Sequence, residues 1–225
     1  MMELQTQPRR TIAEASLRRL PLYHRILKEW LELGQPYASC TELGAKLGFD
    51  ATQVRKDLEA TGIAGRPKVG FVTRDLVAGI EAFLGWNNTK DAFLVGAGHL
   101  GAALLGYEKF KECGMSFVAA FDLDPEKIGR QLRGREVLAL EKLPDLALRM
   151  HVHIGVITVP AGAAQSVADL MVKGGILAIW NFAPVRLRLP EGMIVHNEDL
   201  YCSLASLSQK LDRLLRPIAS PSAGT

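Results

Sequence analysis

Gly96-Ala97-Gly98-His99-Leu100-Gly101 is the stretch of this chain whose residue types and spacing best fit a defined chemistry. It follows an apolar run, Asp91–Val95, and opens a helical pattern, as the G-x-G-x-x-G fingerprint of dinucleotide binding requires. Gly96 permits the tight turn, Gly98 lets the backbone approach a pyrophosphate, and Gly101 allows close helix–strand packing. With Ala97, His99 and Leu100 they bring helix-start amides and a partial positive charge to the phosphates. A second apolar run, Phe117–Phe121, ends in Asp122, 21 residues past Gly101. A carboxylate there binds ribose hydroxyls and repels a 2′-phosphate, which favours NAD over NADP. Asp124 and Lys127 are further candidates, although an i,i+3 pair of this kind also reads as a solvated ion pair. Thr158, Val159, Pro160 and Asn181 end later strands, where ligands sit in open parallel sheets. Val159 and Pro160 offer an apolar wall to a nicotinamide ring, and ordinary strand-ending turns are an equal reading.

Little else carries catalysis. Of the five histidines, His99 lies in the glycine loop, His151 and His153 flank a strand start, and His196 precedes the last helix. None has a carboxylate partner at motif spacing, and there is no Tyr-x-x-x-Lys. A hydride-transfer enzyme needs such an acid/base group, so the nucleotide reads as a signal and not a reagent. Cys40, Cys113 and Cys202 are odd in number and far apart, which suggests neither a disulfide framework nor a metal site.

The net charge of +3 is too mild to imply nucleic acid, but its distribution is informative. Lys46 to Arg74 holds six basic residues against three acidic ones, and Arg9, Arg10, Arg18 and Arg19 precede it. A basic footprint confined to one segment suits phosphate contact. The N-terminus has no signal-peptide core and the apolar runs are too short for a bilayer, so a cytoplasmic protein is expected.

These candidates need elements to position them. Residues 12–33 have the periodicity of an amphipathic helix, with a kink or a start at Pro21. Thr41 should cap a short helix over 41–47, and Asp50 or Thr52 should cap the helix ATQVRKDLEAT. Two such helices around a tight turn make a helix-turn-helix. A two-stranded wing over Gly65–Val72 and a helix over 75–84 follow. Beyond residue 91, strands at 91–96, 116–121, 152–159, 176–180 and 193–195 should alternate with helices at 99–112, 125–130, 141–149 and 161–173. That alternation predicts a parallel, doubly wound sheet. Leu200, Leu204, Leu207, Leu211, Leu214 and Leu215 recur at helical spacing in an amphipathic tail helix.

With these residues in place, the chain resembles the Rex family of bacterial redox-sensing repressors over about residues 12–216. The stretches that carry the resemblance are LPLYHRIL, TQVRKDL, VGAGHLGAALLGY, FDLDPEKIGR, ITVPAGAAQSVADLMVKGGI, NFAPVRLRLP and VHNEDL. The resemblance implies an α/β chain with an N-terminal winged helix-turn-helix domain (12–86) and a Rossmann-type parallel-sheet domain (87–196). It also implies a domain-swapped dimerisation helix (197–216), between flexible ends at 1–11 and 217–225. It implies a homodimer that binds operator double-stranded DNA, is released by NADH, and holds NAD+ without release. Thr52, Gln53, Arg55 and Lys56 would meet bases and phosphates in the major groove, with Arg19, Arg66 and Lys68 on phosphates. Arg25, Tyr107 and Asp199 would link the two domains and the swapped helix. Arg66-Pro67-Lys68 departs from the family's glycine-containing wing and should stiffen its tip. Two other classes stay open on the residues alone: a small NAD-dependent dehydrogenase, or a CoA-binding α/β module.

Overall fold

The computed structural model describes residues 12–66, 69–87 and 90–215. The chain divides into two compact units. The first holds the elements of residues 12–87 together with Lys111–Gly114, and the second holds Lys90–Phe110 and the chain from Met115 onward.

The first unit is built from α1 (Glu14–Glu32), β1 (Tyr37–Ala38), α2 (Cys40–Leu47), α3 (Ala51–Glu59), β2 (Phe71–Val72) and α4 (Thr73–Leu84). Helix α1 runs unbroken through Pro21. Leu20, Tyr23 and Leu27, all fully buried, pack it against Leu43, Val54, Leu58, Leu76 and Ile80. That burial, at about 1.5–3 kcal/mol per large side chain, offsets the backbone bond a proline removes. Helix α2 starts at Cys40, not at 41. Its cap is Ser39, whose hydroxyl accepts from the Glu42 amide while Glu42 reaches back to the Ser39 amide. A reciprocal cap satisfies two orphan donors and outcompetes Thr41. Asp50 caps α3 through the Thr52 and Gln53 amides. The wing is smaller than expected: the Arg66–Gly70 bridge is its only ladder among the described residues, and β2 pairs antiparallel with β1 instead.

The second unit contains β3 (Lys90–Val95), α5 (His99–Leu105), the first half of α6 (Lys109–Glu112, whose last two residues belong to the first unit), β4 (Met115–Asp122), β5 (Gln131–Leu132), β6 (Arg135–Ala139), α7 (Leu143–Met150), β7 (Ile154–Ile157), α8 (Ala161–Lys173), β8 (Ala178–Asn181), β9 (Ile194–Asn197) and α9 (Leu200–Leu215). The strands form one sheet in the order β5-β6-β4-β3-β7-β8-β9, parallel except for the β5–β6 hairpin. Side chains alternate across β3. Phe93 and Val95 enter the larger core with Val167 and Met171, while Ala92 and Leu94 face a smaller one with Phe117, Val156 and, from α5, Leu104.

Several expected elements differ here. The helix expected over 99–112 breaks after Leu105, at Gly106. No α-helix forms over 125–130. Asp124 instead turns the chain by accepting from the Glu126 amide, and the hairpin β5–β6 follows, which periodicity did not signal. Residue 197 belongs to β9, so α9 begins at Leu200. Among the described residues no helix is long and apolar enough to cross a membrane, and no cluster of His, Cys, Asp or Glu could hold a metal.

Candidate functional site

Sheet order places β3 between β4 and β7, so the chain steps from β3 to one side and later returns on its other side at β7, which opens a crevice at the strand ends. The glycine loop lies there. Gly96 ends β3 at φ +108°, a conformation that favours glycine, and its amide donates to the Phe121 carbonyl at 2.8 Å. Gly98 starts α5 without a side-chain cap, which leaves helix-start amides available to an anion. A β-carbon at Gly98 would meet nothing within 4 Å, whereas one at Gly101 would collide with the Gly96 carbonyl and press on Leu94. Thr158 secures the loop from β7: its hydroxyl lies 3.0 Å from the Val95 carbonyl and 2.9 Å from that of Gly96. His99 and Leu100 are exposed at the start of α5.

Asp122 is nearly buried and heavily bonded. One oxygen accepts from the Ala97 amide at 2.7 Å and from Lys127 Nζ at 3.2 Å; the other accepts from the Asp124 amide at 2.9 Å. Burial alone would raise its pKa. The Asp124 and Ala97 amides and the Lys127 ammonium outweigh that and hold it below the ordinary carboxylate range. Asp122 therefore orders the glycine loop besides facing the cleft. Lys127 also lies 3.6 Å from Asp124, and its hydrogen bond to Asp122 raises its own pKa.

Two adjoining clefts share Asp122, Val159 and Pro160. One, of about 290 Å³, adds Leu123, Asp124 and Ala163. The other, of about 360 Å³, adds Gly96, Gly98, Leu100, Lys127, Thr158 and Phe182. An amide-rich turn, an acidic and basic end and an apolar wall fit a dinucleotide: phosphates, ribose and rings each have a matching lining. Asn181 does not join them. It is fully buried, and its amide group is taken by the Ala183 and Val185 carbonyls, Asn197 and the Ala183 amide. Its side chain shapes the β8 exit, a correction to its expected place on a cofactor. Phe182, one residue on in the same strand end, lines the cleft in its place.

In the first unit, Thr52, Arg55 and Lys56 are exposed along α3. Arg55 and Arg66 line one cleft of about 560 Å³ with Glu59 and Cys40. Burial pushes the Cys40 thiol up, partly offset by Arg55 beside the sulfur. Lys68 lies outside the described residues. Arg19 and Gln53 turn inward rather than toward solvent. Arg19 donates to both oxygens of Asp57 at 2.6 and 2.9 Å, Tyr23 donates at 2.7 Å and Gln53 at 2.9 Å. Asp57 is 1% exposed. This hub escaped the sequence because its partners lie 38 and 34 residues away. For Arg19 an internal ion pair replaces the expected free phosphate contact.

Of the three expected linking residues, Arg25 is exposed on α1, and Tyr107 is exposed with its ring edge-on to Phe110 at 5.0 Å. Asp199 caps α9, accepting from the Tyr201 and Cys202 amides at 2.9 and 3.0 Å. The Cys202 thiol and these amides hold its carboxyl below the usual range.

Residues 11–59 match the family model described as putative DNA-binding protein N-terminus, and residues 87–185 match the CoA binding domain model. The chain is 40% identical over 210 residues to the redox-sensing transcriptional repressor Rex of Bacteroides fragilis, covering 93% of this chain and 96% of that one. It is 43% identical over 195 residues to the protein of the same name from Treponema denticola, covering 87% and 93%. The crystal structure of RSP in complex with β-NAD+ and operator DNA matches with a TM-score of 0.85 at 35% identity, over 91% of this chain and 94% of that one. The crystal structure of RSP in complex with β-NADH matches with a TM-score of 0.80 at 34% identity, over 90% and 95%. The chain belongs to the Rex family of redox-sensing transcriptional repressors.

Proposed function

We propose that this chain represses transcription by binding operator DNA as a homodimer in the cytoplasm and leaves the DNA when NADH binds, so that it reads the NADH/NAD+ ratio. The observation that carries this is the glycine loop held between Asp122 and Thr158, open at Gly98 and walled by Val159, Pro160 and Phe182. The loop amides would hold the pyrophosphate of NADH or NAD+, and Asp122, Asp124 and Lys127 its adenosine ribose. Bound nucleotide supplies no reaction here, only a neutral nicotinamide in the reduced form and a cationic one in the oxidised form. An apolar wall favours the neutral ring, because burying an unpaired charge is costly. Exposed Thr52, Arg55 and Lys56 on α3 would read the major groove, with Arg66 on a phosphate. Arg25, Tyr107 and Asp199 would connect the two units.

Helix α9 supports the dimer reading. Leu204, Leu207, Leu211, Leu214 and Leu215 are all more than half exposed on it. A helix stripe of this kind needs apolar cover, and we assign that cover to a second copy, onto which α9 crosses.

The decisive experiment titrates an operator duplex with the protein at fixed NADH or NAD+. NADH should weaken operator affinity at least about tenfold and, by linkage, DNA should weaken NADH binding by the same factor. Equal operator affinity with and without NADH would overturn the sensor reading. Asp122→Asn should lower affinity for NADH and NAD+ alike by about 10- to 100-fold, since it removes charge-assisted bonds worth about 1.5–3 kcal/mol. It should also narrow the preference for NADH over NADPH, because the carboxylate that repels a 2′-phosphate is gone, and isothermal titration checks both. Asp199→Ala removes the α9 cap and should uncouple NADH from DNA release while DNA binding stays measurable by gel shift.

A further inference from the structure

The rim of the cleft is joined to the start of α9 through one side chain. Phe182, which lines the cleft, contacts Trp180 with ring centroids 4.8 Å apart. Alternation along β8 buries Ile179 and Asn181 on one face and places Trp180 on the other. There the indole meets Phe110 edge-on at 5.6 Å, and Phe110 meets Tyr107 at 5.0 Å. The Trp180 indole N–H donates to Glu198 Oε1 at 3.0 Å. The same oxygen lies 3.2 Å from Nε2 of His196, the residue that sheet register sets opposite Trp180. The Glu198 amide donates to the Asn181 carbonyl at 2.8 Å, and the next residue, Asp199, is the cap of α9.

Trp180 therefore touches the cleft-lining ring, the ring stack that ends at Tyr107, and the carboxylate next to the α9 cap. An indole is a rigid plate. If Phe182 tilts, Trp180 must turn with it or lose contact, because close-packed rings leave no slack. Turning swings Nε1 away from Glu198 and takes from the half-buried N–H its acceptor. Occupancy at Phe182 thus has a mechanical route to Glu198 and the α9 cap that needs no contact between nucleotide and helix.

We propose that Trp180 is the positioning residue through which nucleotide in the cleft sets the start of α9, acting by way of its hydrogen bond to Glu198. The proposal rests on the reading of the cleft as an NADH site. Its test compares the full-length wild type with Trp180→Phe, Glu198→Ala and the double variant. NADH affinity is measured by isothermal titration. Operator affinity, with and without NADH, is measured by fluorescence anisotropy on a duplex first selected from random sequence by the wild type.

Trp180→Phe keeps a ring against Phe182 and deletes the N–H. Glu198→Ala deletes the acceptor and leaves the core untouched, so it stands if the first variant folds poorly. Each variant should bind NADH, and DNA without NADH, within about threefold of wild type. NADH should nonetheless weaken their operator affinity about fivefold less than it weakens that of wild type. The double variant should lose no more than either single one, because both remove the same link. The NADH-induced change in tryptophan emission should shrink in Trp180→Phe although Trp30 and Trp86 remain.

Wild-type coupling in both single variants would overturn the proposal while leaving the cleft reading intact. So would a loss of NADH affinity that matches the loss of coupling, since Trp180 would then only shape the cleft. A wild type that binds no NADH would remove the cleft reading and the proposal with it.

Discussion

Gly98→Ala should weaken NADH binding on the order of 100-fold in a protein that melts as the wild type does, while Gly101→Ala should lose binding and stability together. Gly98 sits at φ −89°, which alanine accepts, and its added carbon meets no protein atom within 4 Å. The methyl would occupy only the space a pyrophosphate needs to reach the helix-start amides. We expect affinity to fall on the order of 100-fold, about 2.7 kcal/mol. At Gly101 the added carbon collides with the Gly96 carbonyl, a backbone atom that cannot swing aside. Helix α5 must then move off β3, and overpacking of this kind costs about 1–3 kcal/mol. For a chain of this size that is a drop of roughly 3–10 °C in melting temperature. Calorimetry and isothermal titration on both variants separate the two outcomes. Equal melting losses would show that the loop does not have this shape.

Asp57→Ala should destabilise the first unit by about 3–5 kcal/mol, because it strands a part-buried cation and a buried phenol. Against a total stability of about 5–15 kcal/mol that is a large fraction, and operator binding should fall with it. Arg19, at 19% side-chain exposure, would keep its charge without the carboxylate that now neutralises it. The Tyr23 hydroxyl, buried on α1, would lose its acceptor. Urea unfolding at pH 7, followed by tryptophan fluorescence, measures the loss.

Acid gives a second readout. Burial pushes the Asp57 carboxyl up, but Arg19, Tyr23, Ser16 and Gln53 bring it down to about 2. A carboxyl depressed in the folded state contributes stability that is fully present above its unfolded value of about 3.9 and is lost as pH falls through the folded one. Wild type should therefore lose this contribution between about pH 4 and pH 2, and the variant should show no such loss from this site. A substitution that leaves both readouts unchanged would show that the hub does not hold α1 to α3.

Much of the fold was legible because its signals are local. Helix α8 follows from an uninterrupted apolar periodicity, and β3, β4 and the glycine turn from apolar runs that end in residues with special backbone needs. The misses lie where local signals compete. Thr41 and Ser39 are both good caps, and only the reciprocal Glu42 bond decides between them. The stretch 125–130 has helical composition, yet Asp124 closes a turn and the β5–β6 hairpin adds edge strands to the sheet.

At the site the sequence by itself determined the residue types: three glycines at fixed spacing, and an acid at the end of the next strand. These follow from backbone geometry, which acts over a few residues and leaves a pattern in the order of the chain. What only the tertiary structure decided is which groups those residues face. It gave Asp122 to the Ala97 amide as well as to the cleft, withdrew Asn181 into the β8 exit, brought Phe182 forward, and drew Arg19 into Asp57. A buried polar group takes its partner from whatever packs against it, and for Asp57 that partner, Arg19, lies 38 residues away, where no sequence period reaches.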